Sequence, residues 1–216
     1  MDCERLKLRH RTEREAYHPN LALRVHRALS WLNRAEQRDD DLDGRFIFLW
    51  IAFNAAYATE IDGQYRLSEQ NTFRAFLQKL VDMDGKGCFE NLVWSEFPGS
   101  IRVLLDNQYV FQDFWSFHNG TMAEDEWKRR FDGDRRAAHA AVGSRDTVMV
   151  LSIVLSRIYT LRNQLMHGGA TWGSSVNRDQ IRDCTKLMGH LVPLVIEIMM
   201  DHPETLWGDA CYPVVD

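Results

Sequence analysis

The chain has 216 residues, 45% of them hydrophobic, and a formal net charge of −5. This length supports one sizeable hydrophobic core, so we expect a single domain over 1–216. The acidic balance excludes a protein that coats nucleic acid through a global positive field, so a nucleic-acid partner must be held locally.

Residues 1–7 are charged, which predicts no secretory leader. The most apolar segments (46–58, 148–155 and 191–200) fall short of the roughly 18 to 20 residues that a membrane span needs. The four cysteines form no C-x-x-C pair, which favours reduced structural thiols over a zinc site or a disulfide framework. We therefore expect a cytoplasmic protein with no membrane association.

Almost every segment has a helical period of apolar residues, and alternating β-branched runs are missing. The pattern predicts an all-α fold. In chain order it predicts helices over 18–38, 45–60, 68–82, 100–118, 147–167 and 177–201. It predicts short helices and turns over 83–100, a polar surface excursion over 121–143, and a tail over 204–216. Pro193 is expected to kink or divide the last helix.

Two features near the N-terminus leave alternatives open. Residues 1–38 hold nine Arg and Lys against five Asp and Glu, a surplus that a solvated helix face explains as well as a partner does. The aspartates at 39, 41 and 43, followed by Gly44, match the first half of a calcium loop. Trp50 stands where that loop needs a bidentate glutamate, so we expect the aspartates to cap the 45–60 helix instead.

The most informative stretch is 161–169, LRNQLMHGG, at the end of the 147–167 helix. At about 100° per residue, Arg162, Asn163 and His167 share one broad face, and Tyr159 extends it toward the helix N-terminus. Arginine offers a planar charged fork for phosphate oxygens, and histidine transfers protons near neutral pH. Gly168 and Gly169 predict the end of the helix.

Arg162, Asn163 and His167 suit the cleavage of an RNA strand by the 2′-OH of its own ribose, a reaction that needs neither a metal nor a cofactor. A purely structural role stays open, because a cation at a helix C-terminus interacts favourably with the helix dipole. The spacing alone is weak evidence, since Arg5 with His10 and Arg11 with His18 have similar spacings. Only the copy at 162–167 lies on an apolar helix that ends at glycine.

The Arg162-Asn163-x3-His167 pattern, late in a long helix with a further helix after it, resembles the signature of the HEPN (higher eukaryotes and prokaryotes nucleotide-binding) family. The apolar segment 48–57, which carries the polar Asn54, is similar to an early helix of many such domains. The resemblance covers roughly 20–60 and 144–202. The segment 83–143 has no counterpart, and we expect it to be a helical insertion.

The resemblance implies an up-and-down helical bundle that forms a homodimer and brings two motifs into one cleft. It implies a metal-independent endoribonuclease of toxin–antitoxin, phage-defence or RNA-processing systems, with RNA or a nucleotide as ligand and a co-encoded antitoxin as a candidate partner. Arg162 would hold the scissile phosphate, His167 would transfer a proton, and Asn163 and Asn54 would orient them. The alternative is a non-catalytic nucleotide-binding or protein-interaction module.

Overall fold

The structure is a computed structural model, and it describes residues 3–38, 40–57, 69–175 and 177–212. These residues form ten α-helices and no strand, which confirms the all-α prediction for them. None of the helices in these ranges is long and apolar enough to cross a bilayer. The predictions for Asp39, for 58–60, for the start of the 68–82 helix at Ser68 and for 213–216 lie outside the described residues.

The helices are bounded as follows: α1 Cys3–Glu13, α2 Pro19–Glu36, α3 Leu42–Tyr57, α4 Glu69–Met83, α5 Cys88–Asn91, α6 Pro98–Leu105, α7 Gln112–His118, α8 Glu124–Gly143, α9 Thr147–Met166 and α10 Arg178–Asp201. Short 3-10 turns follow α1 and precede α7, at Arg14–Ala16 and Gln108–Val110. A single π-helical turn, Leu92–Glu96, follows α5.

The chain divides into two compact units. The first contains α1, α2, α3 and α10 together with Asp82–Lys86, and the second contains α4 up to Val81 and α5 to α9. The second unit therefore extends well beyond the predicted insertion at 83–143. The prediction of one domain stays a prediction.

The first unit is built by α1, α2, α3 and α10, which pack against one another. In α2, buried Leu21, Val25, Ala28 and Leu32 recur every three or four residues, the spacing that gives a helix one apolar face. The longest helix among the described residues is α10, with 24 residues. It continues through the buried Pro193, so of the two expected effects of this proline, a kink or a division, the division does not occur, and the kink stays a prediction.

Two arginines of α2 hold the C-terminal segment against the first unit. Arg24 is almost fully buried, and its guanidinium donates to the carbonyl oxygens of Ala56 and Asp209. Arg27 donates to the carbonyl oxygens of Cys211 and Tyr212, each at 2.6 Å. The part of the predicted tail that the structure describes is thus packed on the helices.

The second unit is arranged around α9, which packs against α6, α8 and the two turns at Leu92–Glu96 and Gln108–Val110. Beside α9, side chains of α7 and α8 form an aromatic cluster of buried Phe114, Trp127 and Phe131. Phe114 and Trp127 meet edge to face, with ring centroids 5.2 Å apart, an arrangement that aromatic pairs favour.

A buried cation fixes α9 within this unit. The guanidinium of Arg157 lies 4.6 Å from the ring centroid of Phe111 and 5.6 Å from that of Phe131, and it donates to the carboxylate of Asp134. Only 4% of the Arg157 side chain is exposed, so its charge depends on these contacts. Burial raises the pKa of Asp134, and the positive charge of Arg157 opposes that rise.

The structure corrects two predictions for the middle of the chain. The predicted helix over 100–118 is two helices, α6 and α7, separated by a 3-10 turn at which the Asn107 side chain accepts from the backbone N–H of Tyr109. The predicted surface excursion over 121–143 contains the 20-residue helix α8. Its buried Trp127, Phe131, Ala138 and Ala141 form an apolar stripe among charged residues.

Replacing Arg157 with methionine should strongly destabilise the second unit, because the carboxylate of Asp134 loses its partner while the apolar volume is kept. We expect the free energy of unfolding in urea to fall by about 3 kcal/mol. Arg129→Met, at an exposed position of α8, is the matched control and should change it by less than about 0.5 kcal/mol. Equal effects of the two substitutions would show that Arg157 does not anchor α9.

Candidate functional site

The predicted site lies at the C-terminal end of α9. The helix begins where the side chain of Asp146 caps it by accepting from the backbone N–H of Met149 at 2.9 Å. Ile158 and Leu161 are fully buried, whereas Arg162 and Asn163 are half-buried. The last turn therefore keeps one face in the core and presents the polar face of the motif.

The helix end is fixed by two glycines, as the sequence predicted. Gly168 has φ +71°, and its N–H donates to Leu165 O at 3.2 Å, while Gly169 N–H donates to Gln164 O at 2.7 Å. This pair of hydrogen bonds is a Schellman cap. A Cβ on residue 169 would lie 2.9 Å from Gln164 O, so both positions favour glycine.

Arg162 and Asn163 contact each other directly. Arg162 Nη1 donates to Asn163 Oδ1 at 2.9 Å. The Nε of Arg162 is buried and has no hydrogen-bond partner among the residues that the structure describes. The amide therefore orients the guanidinium, so Asn163 acts on the arginine. We expected Asn163 to orient both Arg162 and His167, and the contact with Arg162 is the one that the structure describes.

His167 is the first residue beyond α9, with φ −96° and ψ 13°. Its backbone N–H still donates to Asn163 O at 3.0 Å, which continues the helical pattern by one residue. The side chain is exposed, and the preceding Met166 is 52% exposed. An imidazole in this position is accessible to a ligand and lies within one and a half turns of Arg162 along the chain.

The supporting residues of the prediction have different positions. Tyr159 lies on α9, three residues before Arg162, and is half-buried. Asn54 is half-buried on α3, which belongs to the first unit. Its supporting role stays a prediction. Leu165, in the last turn of α9, is half-buried.

The sequence did not indicate the contact that ties the last turn of α9 to the rest of its unit. Gln164 Nε2 donates to the carbonyl oxygen of Tyr109 at 2.6 Å. Tyr109 lies in the 3-10 turn before α7, and its side chain is 49% exposed. Glutamine inside the motif had no predicted role, and its spacing gave no signal of a partner 55 residues away.

In the first unit, two aspartates at the start of α3, Asp41 and Asp43, contact the segment that precedes α10 and the first residue of α10. Asp41 caps α3, as predicted, by accepting from Gly44 N–H at 2.9 Å. Both oxygens of Asp43 accept from Arg178 Nη2 at 3.0 Å, and one also accepts from Gly173 N–H. Trp172, which is 79% exposed, donates to Asp41 at 3.1 Å. These carboxylates thus serve as structural acceptors.

In the part of the chain that the structure describes, the titratable side chains form no recognisable metal centre. No group of three or more His, Cys, Asp or Glu side chains within the described ranges is placed to hold a metal ion. The end of α9 instead presents the guanidinium of Arg162, the amide of Asn163 that orients it, and the accessible imidazole of His167. Chemically, these groups can bind a phosphate and transfer a proton.

Comparisons of this chain with models of protein families, with curated proteins and with solved structures gave no match.

The cap of α9 can be tested at Gly168. Valine at this position must adopt the left-handed conformation at an expected cost of about 1 to 2 kcal/mol in the free energy of unfolding, whereas asparagine tolerates that conformation and should cost clearly less. Gly143→Val is the control, because Gly143 ends α8 without a positive φ. The account of the cap is wrong if Gly168→Val and Gly168→Asn unfold at the same urea concentration.

Proposed function

We propose that this protein is a metal-independent endoribonuclease of the HEPN type. One observation carries the proposal: at the fixed end of α9, the guanidinium of Arg162 is held by Asn163, and the exposed His167 follows within five residues. The half-buried position of Arg162 supports it, since a desolvated guanidinium interacts more strongly with a phosphate than an exposed one does.

In this reaction the ribose 2′-OH attacks the adjacent phosphorus, and the bond to the 5′-oxygen of the next nucleotide breaks. Arg162 binds the nonbridging phosphate oxygens, whose negative charge increases in the transition state. His167 either accepts the proton of the attacking 2′-OH or donates a proton to the leaving 5′-oxygen. The products are a 2′,3′-cyclic phosphate and a 5′-hydroxyl end.

The proposal includes a homodimer. Two proton transfers accompany each cleavage, and one imidazole cannot be both base and acid in the same step. A second copy of the motif supplies the other histidine if two chains place their α9 ends in one cleft, a symmetric arrangement typical of homodimers. A role as a toxin or phage-defence effector, with a co-encoded antitoxin, is part of the same proposal.

The purified protein should cleave single-stranded RNA in the presence of EDTA and leave 2′,3′-cyclic phosphate ends. His167→Ala should lower the rate at least about 100-fold, because it removes the proton-transfer group. It should leave the thermal unfolding midpoint unchanged, since the side chain is exposed. The measurement is gel analysis of a labelled RNA with chemical identification of its ends.

The matched control is His118→Ala. His118 is also an exposed histidine at the C-terminal end of a helix in the second unit. This variant should cleave RNA at the wild-type rate. Full activity in the His167→Ala protein would contradict the proposal, whereas binding of RNA without any cleavage by the wild type would favour the non-catalytic binding module.

The contact between Arg162 and Asn163 predicts coupled effects on cleavage. We expect Asn163→Ala to lower the rate about tenfold, the loss of one hydrogen bond to a charged group, and Arg162→Ala to lower it further. In the Arg162→Ala background, Asn163→Ala should have little additional effect, because its target is already absent. Additive effects in this double-mutant cycle would show that Asn163 does not act through Arg162.

A further inference from the structure

The first unit contains a basic pocket between α1 and α2, with a volume of about 220 Å³. Five of the residues that line it carry basic side chains: Lys7, His10, Arg11, Arg14 and His26. None of the described residues that line this pocket carries a carboxylate. Much of the positive surplus of residues 1–38 is therefore concentrated at one place.

These side chains converge because of their helical spacing. Lys7, Arg11 and Arg14 recur every three or four residues along α1 and the 3-10 turn after it, so they share one side. On α2, Ser30 and Asn33 follow His26 at the same spacing and add polar groups to the opposite wall. Two apolar stripes would have packed against each other and left no space between the helices. These two stripes are polar, and a pocket remains between them.

Most of the positive charge in the pocket is available to a ligand. Lys7 pairs with the exposed Glu4 at 2.9 Å. Arg11 and Arg14 are exposed and make no ion pair with the residues that the structure describes. By contrast, a larger cavity between α2, α3 and α10 includes the carboxylate of Glu36, and its Arg182 already pairs with two aspartates.

His10 forms the inner wall of the pocket. It is 4% exposed, and its Nε2 donates to the carbonyl oxygen of Ala22 at 3.1 Å. The ring of His26 stacks beside it, with centroids 6.2 Å apart. Burial lowers the pKa of His10, and the positive charges of His26 and Arg14 lower it further against the opposing effect of the Ala22 carbonyl. Because a lowered pKa favours the neutral ring, His10 lines the pocket without adding positive charge at neutral pH.

A shallow depression of about 460 Å³ continues from the pocket and shares His10, Arg14 and His26 with it. Its other lining residues are Glu15, which carries a carboxylate, and four residues that provide largely apolar surface, Tyr17, Pro19, Ala22 and Leu23. A basic pocket beside an apolar depression matches a ligand with a phosphate at one end and an uncharged organic part at the other. Arginine forks and hydroxyl groups are the donors that phosphate oxygens accept from most readily.

We infer that the pocket between α1 and α2 binds the phosphate group of a phosphate ester, whose organic part lies over the depression lined by Tyr17 and Leu23. The site belongs to the first unit and does not depend on the proposed ribonuclease activity. The ester is supplied either as a free nucleotide or as a nucleotide of an RNA strand.

Binding can be measured with four probes: inorganic phosphate, adenosine, adenosine 5′-monophosphate and a 12-nucleotide RNA. The background is the His167→Ala protein, so that cleavage does not affect the result. Calorimetry measures the binding of the small probes, and fluorescence anisotropy measures the binding of the RNA. Binding of the mononucleotide but not of adenosine would identify a free ester, and binding of the RNA alone would identify a backbone phosphate. Either result supports the inference if the pocket variant described next weakens that binding.

The pocket variant is Arg11→Gln with Arg14→Gln, and the matched control is Arg129→Gln with Arg136→Gln, two exposed arginines of α8. We expect the pocket variant to bind at least about tenfold more weakly than the control, the loss of one or more hydrogen bonds between charged groups. Ser30→Phe, which fills the pocket and keeps every charge, should weaken binding similarly. Equal affinities in the pocket and control variants, or no binding of any probe to the starting protein, would overturn the inference.

Discussion

The buried guanidinium of Arg157 is the constraint on which the second unit depends. This guanidinium donates to Asp134 and lies against the faces of Phe111 and Phe131, and these three residues come from two other segments of the unit. Because a buried charge cannot leave its partners without a large cost, α9 has one rotational setting. Relative to Arg157, residues 159, 162 and 163 lie at about 200°, 140° and 240° around the helix. The motif therefore faces away from the anchor, in agreement with the half-buried positions of Arg162 and Asn163.

The second constraint is the end of α9. The Schellman cap at Gly168 and Gly169 stops the helix directly after the motif, and Gln164 ties the last turn to the carbonyl of Tyr109. The position of His167 is consequently set by backbone hydrogen bonds, while its side chain stays accessible. A proton-transfer group on a rigid element can be positioned more accurately than one on a loop, which makes this helix end suitable for catalysis.

Those features that depend on local patterns were predictable from the sequence. The helical period predicted the all-α fold, Asp41 was expected to cap α3, and the paired glycines were expected to end α9. The break between α6 and α7 was missed because the apolar residues of 100–118 keep a helical spacing across it. Helix α8 was missed because its apolar stripe is narrow, and the many charges around Trp127 and Phe131 hide it.

Contacts between distant residues were not predictable from one sequence. Arg157 stands in a strongly apolar run, and nothing nearby indicates that Asp134 and two phenyl rings neutralise it. The same holds for Arg24, which is buried against two backbone carbonyls. The basic pocket depends on the pairing of α1 with α2, and the sequence alone could not distinguish that arrangement from a solvated face.

The RNA cleavage that we propose for the end of α9 can be tested without knowing the substrate. The measurement is sequencing of 5′-hydroxyl RNA ends in cells that express the wild-type chain or His167→Ala at equal levels. We expect new 5′-hydroxyl ends at defined positions with the wild type and none with the variant. Identical end profiles for the two proteins would contradict it.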